Sequence, residues 1–321
     1  MLSVIIPAYN EQDNVENTAK VISGILDEAG IEYELMFVDD GSSDATWSII
    51  ERLSDENGSI RGLHFSRNFG KEGAIFAGLR RCTGDCAVVI DCDLQHPPEL
   101  IPEMVKLHEQ GFEVVEAVKS SRGKESLLYK MFAKWFYRIM KSSSNVDLDR
   151  ASDFKLMDRK VIDALNDLPE RITFFRALSS WVGFRSTKIE FEVAPRKAGV
   201  SKWNFGKLFT FAVNNITSFT NFPMQLVTGM GIIFLIFAVI LGVQSLVRFF
   251  SGTAQEGFTT VYLVILLAAS MIMIGLGVIG YYMSKIYEEI KFRPRYIISI
   301  DTKDKERKER KETSTTDGEN G

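Results

Sequence analysis

Two aspartates separated by a single residue form the part of the sequence whose spacing most directly indicates chemistry. Asp91 and Asp93 follow an apolar run, residues 87–90, that is typical of a buried strand. Carboxylates at a strand end can bind a divalent cation whose other ligands are diphosphate oxygens, an arrangement that Mg²⁺ and Mn²⁺ favour. Gln95 lies two residues further along and can add a neutral oxygen. For this pair alone, a helix cap or a solvated turn before Pro97 remains the alternative.

Two more polar clusters each close a predicted strand. The first, PAYNE at residues 7–11, follows a strand at residues 2–6, and the second, VDDGS at residues 38–42, closes a strand at residues 33–38. An acid at such a position can accept hydrogen bonds from a ribose hydroxyl or a base N–H, and Tyr9 offers an aromatic face for a base. Because ligands bind beyond the carboxyl ends of parallel strands, the three clusters together predict a nucleotide-diphosphate site in one crevice.

Helical stretches alternate with these strands and must position the clusters. Residues 14–29, 46–53 and 73–81 have apolar side chains at helical spacing. This alternation predicts an α/β fold, with a mostly parallel sheet covered by helices on both faces.

The 321 residues segregate their apolar side chains in a way that the average composition hides. The chain is 45% apolar and 25% charged, yet residues 208–247 and 257–284 contain no charged side chain. Within these stretches, residues 226–247 and 261–283 each meet the length of about 20 residues that a membrane-spanning helix needs. A buried helical hairpin is the alternative.

The net charge of -4 argues against a nucleic-acid binder. Three cysteines are too few for a disulfide framework, and this low number suits a protein in the reducing cytoplasm.

The basic residues around the two apolar runs predict an orientation. The connecting loop, residues 248–260, holds one basic residue, whereas several flank the pair on the outside. Because basic flanks stay in the cytoplasm, the amino-terminal domain and the tail should both face it. The flanking residues are Lys202, Lys207, Lys285, Lys291, Arg293 and Arg295. From Asp301 onward, mixed charges without apolar residues predict a disordered tail.

Two further stretches combine apolar and basic faces. Residues 124–141 have apolar side chains at helical spacing opposite lysines, and residues 202–219 repeat this pattern before the first apolar run. Both are predicted to be helices that lie in the membrane interface. For residues 124–141, an ordinary helix that covers the domain is the alternative.

Six motifs, in this order, resemble the family 2 glycosyltransferases of GT-A fold, and within them the polyprenyl-phosphate glycosyltransferases. The resemblance covers residues 2–296. The motifs are PAYNE from Pro7, VDDGSSDAT from Val38, SRNFGKEGAIFAGL from Ser66, DCDLQHPPEL from Asp91, SDFKLMDRKV from Ser152 and RKAGVSKW from Arg196.

The resemblance implies an inverting, metal-dependent enzyme. It would move a hexose-type sugar from a nucleotide diphosphate to a polyprenyl phosphate at the cytoplasmic face of the cell membrane, with Mg²⁺ or Mn²⁺ as cofactor. A homo-oligomer is expected, with a tetramer as one candidate state. The predicted organisation is a catalytic domain at residues 1–222, a transmembrane hairpin at 223–284, and a cytoplasmic segment with a charged tail at 285–321. A catalytically silent membrane anchor or partner-binding protein that retains the fold is the competing hypothesis.

The resemblance also assigns roles to individual residues. Asp91, Asp93 and Gln95 would hold the metal and the diphosphate. Asp153 would sit beside the acceptor as a general base or an orienting group; a helix cap is the alternative. The residues expected to hold the nucleotide are Pro7, Tyr9, Glu11, Val38 and Asp40, and those expected to bind phosphates of the donor, the lipid or both are Arg122, Arg196 and Lys202.

Overall fold

The computed structural model describes residues 1–119, 152–169, 174–191, 222–251 and 258–304. These residues belong to two compact units. The first unit contains residues 1–119, 152–169, 174–191 and 294–304, and the second contains residues 222–251 and 258–293.

An eight-stranded sheet forms the centre of the first unit, in the order β7-β5-β6-β4-β1-β2-β3-β8. Strands β6 and β8 run antiparallel to their neighbours, and the other six run in one direction. The strands are β1 (Leu2–Ala8), β2 (Tyr33–Asp39), β3 (Ile60–Phe65), β4 (Cys86–Val89), β5 (Val114–Lys119), β6 (Lys155–Asp158), β7 (Ser186–Phe191) and β8 (Ile298–Asp301). The mostly parallel sheet that the sequence predicts is thus confirmed.

Helices cover both faces of this sheet. The even-numbered residues of β1 pack with buried residues of α1, α2 and α4 in one hydrophobic core. On the other face lie α3 and α5, which contact each other where the Asn166 side chain donates to the Leu79 carbonyl oxygen, 3.2 Å away. The helices of this unit are α1 (Val15–Glu28), α2 (Thr46–Glu56), α3 (Lys71–Arg81), α4 (Ile101–Glu109), α5 (Arg159–Asp167) and α6 (Phe175–Trp181). Burial on both faces explains why the central strands read as continuous apolar runs.

Helix α3 approaches the sheet closely because it carries a glycine at the contact. A Cβ atom at Gly78 would overlap the side chain of Ile5 in β1. This close packing fixes the position of α3, whose first residue, Lys71, lies at the carboxyl edge of the sheet beside Asp91.

The pairing of β4 with β6 brings distant parts of the chain together. These strands are antiparallel, with Val89 opposite Lys155. The end of β4 therefore lies beside the start of β6, and the residues just outside the two strands, Asp91 and Asp153, meet at the same edge.

The prediction of a disordered tail from Asp301 onward is wrong at its start, because Asp301 is the last residue of β8 and residues 302–304 are helical. Residues 298–301 form β8, which pairs with β3 at the edge of the sheet. The guanidinium of Arg61 donates to both carboxylate oxygens of the buried Asp301, at 3.0 and 2.7 Å. The hydroxyl of Thr302 accepts from the Gly62 amide at 3.1 Å. Residues 305–321 lie outside the described part of the chain.

Two long apolar helices make up the described part of the second unit. They are α7 (Phe222–Phe250) and α8 (Phe258–Ile290), and both predicted spans fall within them. By length and composition, Met224–Leu241 and Leu267–Ile290 could each cross a membrane. The predicted interfacial helices, residues 124–141 and 202–219, lie outside the described residues, and the predicted domain boundaries remain predictions.

Candidate active site

A cavity of about 310 Å³ opens at the carboxyl ends of β1, β2 and β4. All three predicted polar clusters contribute to its wall. The lining residues are Pro7, Ala8, Tyr9, Glu11, Asp40, Asn68, Gly70, Lys71, Ala74, Asp91, Cys92 and Asp93. The parallel arrangement of β1, β2 and β4 accounts for this convergence.

The loops after β1 and β2 are joined through Asn10. This residue has a positive φ of 54°, a conformation that asparagine tolerates better than most residues. Its side-chain oxygen accepts from the Ser43 amide, and its own amide donates to the Ser42 hydroxyl, each at 2.9 Å. Glu11 adds a third link, since its amide donates to the Thr46 hydroxyl at 2.8 Å. The two loops therefore act as one wall of the cavity.

Asp40 connects this wall to a third loop. Its carboxylate accepts from the amides of Phe69 and Gly70, at 2.6 and 2.8 Å. Burial raises the pKa of Asp40, and the two amide hydrogen bonds partly oppose the shift. The next residue, Gly41, has φ 66°, and a Cβ there would overlap the backbone of Arg67, so glycine is needed at this turn.

The neighbouring Asp39 has a structural role instead. Its side chain is fully buried, with one oxygen 2.6 Å from His64 Nδ1 and the other accepting from the amide and hydroxyl of Ser42. Successive residues of a strand point to opposite faces, so only one of the two aspartates can face the cavity. That residue is Asp40.

Asp91 and Asp93 line the cavity from the loop after β4, which lies on the other side of β1 from β2 and Asp40. The Asp91 side chain is partly exposed. Asp93 is exposed, and its carboxylate accepts a hydrogen bond from the backbone amide of Gln95 at 3.0 Å. Leu94, between Asp93 and Gln95, has φ 51°, an unfavourable conformation for a bulky residue. Such strain is often found at functional sites. Burial raises the pKa of the Cys92 thiol to about 12, so this cysteine remains a neutral thiol near pH 7.

This acid pair fits a divalent cation that is shared with a bound diphosphate. Asp91 and Asp93 supply hard oxygen ligands at the cavity wall. Within the described residues, no group of three His, Cys, Asp or Glu side chains could hold a metal by itself. Mg²⁺ commonly uses one or two carboxylates and completes its shell with substrate phosphates and water.

A cluster of ion pairs links Asp91 to Asp153. The Lys71 ammonium lies 2.5 Å from Asp91 Oδ1 and 2.8 Å from Asp153 Oδ2. Arg176 in α6 donates to both oxygens of Asp153, through Nε at 2.7 Å and Nη2 at 2.8 Å. Burial alone would raise the pKa of Asp153, but the hydrogen bonds from Arg176 and the charge of Lys71 hold it well below its usual range. Asp153 is therefore a carboxylate at neutral pH.

Glu72 lies behind this cluster. Its carboxylate accepts from the Phe175 amide at 2.8 Å. Burial raises the pKa of Glu72 to about 7, the negative charge of Asp153 adds to the shift, and Arg176 opposes it. Glu72 consequently titrates near neutral pH next to a permanently charged ion-pair network.

The structure brings together six of the predicted residues as lining of the cavity: Pro7, Tyr9, Glu11, Asp40, Asp91 and Asp93. Val38 is fully buried in β2 opposite Pro7 and does not line the cavity. Gln95 is exposed and does not line the cavity. Asp153 does not line it either, but it contacts Lys71, which does. Arg122, Arg196 and Lys202 lie outside the described residues.

Sequence reasoning missed the two cations of this cluster. Lys71 stands in the motif SRNFGKEGAIFAGL, where a basic residue at a helix start was a usable signal. Arg176 is 23 residues from Asp153, and no local pattern relates the two.

The fold is the α/β architecture of the GT-A glycosyltransferases, and two long apolar helices lie between β7 and β8 in the chain. The family model described as glycosyl transferase family 2 matches residues 3–165. The chain belongs to this family.

Similar proteins span nearly the whole chain. A glycosyltransferase of Synechocystis sp. is 37% identical over 300 residues, covering 93% of this chain and 94% of that protein. The prophage bactoprenol glucosyl transferase homolog of Escherichia coli is 37% identical over 299 residues, 92% of this chain and 98% of that protein. The bactoprenol glucosyl transferase of Shigella phage SfII is 36% identical and covers 92% and 97%.

Among solved structures, the chain is similar to glucosyl-3-phosphoglycerate synthase from Mycobacterium tuberculosis in complex with Mn²⁺, uridine diphosphate and glucosyl-3-phosphoglycerate. The TM-score is 0.43 at 21% identity, covering 68% of this chain and 77% of that chain.

Proposed function

We propose that this glycosyltransferase moves a sugar from a nucleotide diphosphate to a polyprenyl phosphate at the cytoplasmic face of the membrane. The observation that carries the proposal is a cavity that joins the loops after β1 and β2 to the acid pair after β4, in a chain that also holds two apolar helices. Relatives named bactoprenol glucosyl transferase, similar over nearly their full length, support a lipid phosphate as acceptor.

The donor would bind across the cavity. Tyr9 is 48% exposed and offers its ring to the base, while Asp40 is held by two amides with its carboxylate at the cavity wall. Pro7 and Glu11 complete this side. Val38 would act through the backbone of β2, by placing Asp39 and Asp40.

The diphosphate would lie against Asp91 and Asp93, with Gln95 nearby. A bound Mg²⁺ or Mn²⁺ would neutralise the charge that develops on the leaving diphosphate. Asp91 and Asp93 would hold this ion and thereby orient the bond to be broken. Metal dependence is thus part of the proposal.

The acceptor requires no strong base. A lipid phosphate is already an anion at neutral pH, so one of its oxygens can attack the anomeric carbon directly. The bond from that carbon to the donor phosphate breaks, the nucleoside diphosphate leaves, and the anomeric configuration inverts. Because two cations already engage both oxygens of Asp153, we propose that it orients groups at the acceptor side and does not remove a proton.

The membrane arrangement is proposed from the sequence. Both termini would lie in the cytoplasm, with the loop between α7 and α8 on the outside. Arg122, Arg196 and Lys202 would bind phosphates of the donor, the lipid or both, and the protein would assemble as a homo-oligomer.

The test is a transfer assay with the full chain in detergent. Nucleotide sugars with different bases and sugars are each incubated with undecaprenyl phosphate and Mg²⁺ or Mn²⁺. We expect one of them to yield a lipid-linked sugar monophosphate together with the free nucleoside diphosphate. A folded protein that forms no lipid-linked product from any donor would favour the catalytically silent alternative.

A further inference from the structure

We propose that the ammonium of Lys71 neutralises Asp91 before the donor binds. When a divalent cation binds to Asp91 and Asp93, it replaces the Lys71 ammonium at Asp91. This inference rests on the proposed function, because it concerns the same metal and diphosphate site. It assigns Lys71 as a positioning residue that makes metal binding depend on the diphosphate.

The position of Lys71 supports this role. Its ammonium bridges two carboxylates from different strands, Asp91 after β4 and Asp153 before β6. Gly70 precedes it with φ 95°, so the chain turns sharply and α3 begins at the cavity wall. Lys71 also lines the cavity, with 40% of its side chain exposed, so a ligand in the cavity can reach it.

The two carboxylates differ in what remains if the ammonium moves. Asp153 keeps Arg176, which binds both of its oxygens. Among the described residues, the other charged partner of Asp91 is His96, whose Nδ1 is 3.9 Å from Asp91 Oδ2. A divalent cation can therefore replace Lys71 at Asp91, while Arg176 still neutralises the charge of Asp153.

Competition between two cations for Asp91 has a measurable consequence. Without the Lys71 charge, Asp91 and Asp93 should bind a metal ion more tightly in the absence of diphosphate. With diphosphate present, the ammonium is expected to contact phosphate oxygens, so its loss should weaken binding of the metal–diphosphate pair. A residue that only supports the fold would not shift these two affinities in opposite directions.

The experiment measures binding, so it does not depend on knowing the sugar. Full-length wild type, Lys71→Met and Lys71→Arg in detergent are titrated with Mn²⁺ alone, followed by electron paramagnetic resonance of free Mn²⁺. They are then titrated with inorganic pyrophosphate at saturating Mn²⁺. Lys20→Met, at an exposed position of α1, is the matched control.

We expect Lys71→Met to bind Mn²⁺ about three- to tenfold more tightly, as removal of one charge beside a partly exposed carboxylate predicts. Pyrophosphate should bind it more weakly than wild type, while Lys71→Arg and Lys20→Met stay close to wild type. Equal or weaker Mn²⁺ binding by Lys71→Met would overturn the inference.

A second measurement uses the unmodified protein, in case Lys71→Met does not fold. Labelling of lysines with an amine-specific reagent is followed by mass spectrometry, with Lys20 as internal reference. Mg²⁺ should raise the labelling rate of Lys71 relative to Lys20. An unchanged ratio would contradict the replacement of Lys71 by the metal at Asp91.

The outcomes separate this inference from the proposed function. If wild type binds no divalent cation, the metal part of the proposed function fails and the Lys71 inference fails with it. If wild type binds Mn²⁺ and transfers sugar but Lys71→Met has the same Mn²⁺ affinity, only the Lys71 inference fails.

Discussion

At the scale of single residues, the region around Asp153, which we propose receives the acceptor, is organised by charge compensation. Asp153 is buried, yet it remains ionised because Arg176 and Lys71 surround it. The sequence identified Asp153 from a motif, but it could not identify the partners, because side chains from α3 and α6 reach it only in the folded chain. Asp91, Asp93 and Asp40 were predictable because each lies within a few residues of the carboxyl end of a strand.

Removing the guanidinium of Arg176 should disturb the position of Asp153. Arg176→Gln leaves Asp153 with Lys71 as its remaining cation among the contacts described above. We expect kcat to fall about 10- to 100-fold through misplacement of Asp153, and stability to drop by about 1–3 kcal/mol. Turnover and thermal unfolding measure the two effects, with the exposed Arg52→Gln as control. An unchanged kcat would show that Arg176 does not position the reacting groups.

Glu72 should make stability depend on pH. Its pKa is about 7 in the folded chain, above the 4.5 of an unperturbed glutamate, so the folded state retains a proton that the unfolded state has lost. Its contribution to stability is therefore full below pH 4.5 and is lost as the pH rises to about 7. Glu72→Gln, which can still accept from Phe175, should gain stability relative to wild type between pH 5 and pH 8. A difference in unfolding free energy that is constant over this range would contradict the shift.

At the scale of elements, pairing between distant strands determines what the sequence could and could not predict. The strands β1, β2 and β4 were predictable from local apolar runs, and so was the meeting of their loops. Strand β8 was not predictable, because it is only four residues long and so short a stretch gives little local indication of a strand. Its partner, β3, is separated from it by more than 200 residues, and the Arg61–Asp301 pair that anchors it is visible only in the folded chain.

Loss of this anchor should release the edge strand. Asp301→Ala leaves Arg61 without its buried carboxylate, and breaking such a pair costs about 3–5 kcal/mol. Hydrogen exchange should become faster in β8 and at the Gly62 amide. Glu16→Ala, which removes an exposed partner of Arg52, should cost about 0–1 kcal/mol. Similar exchange in the Asp301 and Glu16 variants would mean that the ion pair does not hold β8.

At the scale of the whole molecule, the chain combines a glycosyltransferase unit with two apolar helices, and its orientation in a membrane is predicted from charge. The sequence predicted these helices because a run without charges, long enough to span a bilayer, is a strong signal. It also predicted the side of the membrane, from the basic residues around the runs.

The orientation can be measured with introduced thiols. The native cysteines, Cys82, Cys86 and Cys92, are buried and should give little background. An impermeant reagent added to intact cells should label Thr253→Cys, in the loop between the apolar runs, and spare Ser314→Cys in the tail. Equal labelling at the two positions, or the reverse pattern, would contradict the cytoplasmic placement of the termini.

The central claim is that the acid pair holds the metal that drives sugar transfer to a lipid phosphate. The most direct measurement is the rate of lipid-linked sugar formation by Asp93→Asn, compared with wild type and with Asp55→Asn, an exposed acid of α2. We expect Asp93→Asn to lose activity by about 10²-fold or more, excess chelator to abolish the wild-type rate, and Asp55→Asn to remain as active as wild type. A wild-type rate in Asp93→Asn, or in the presence of excess chelator, would contradict the account.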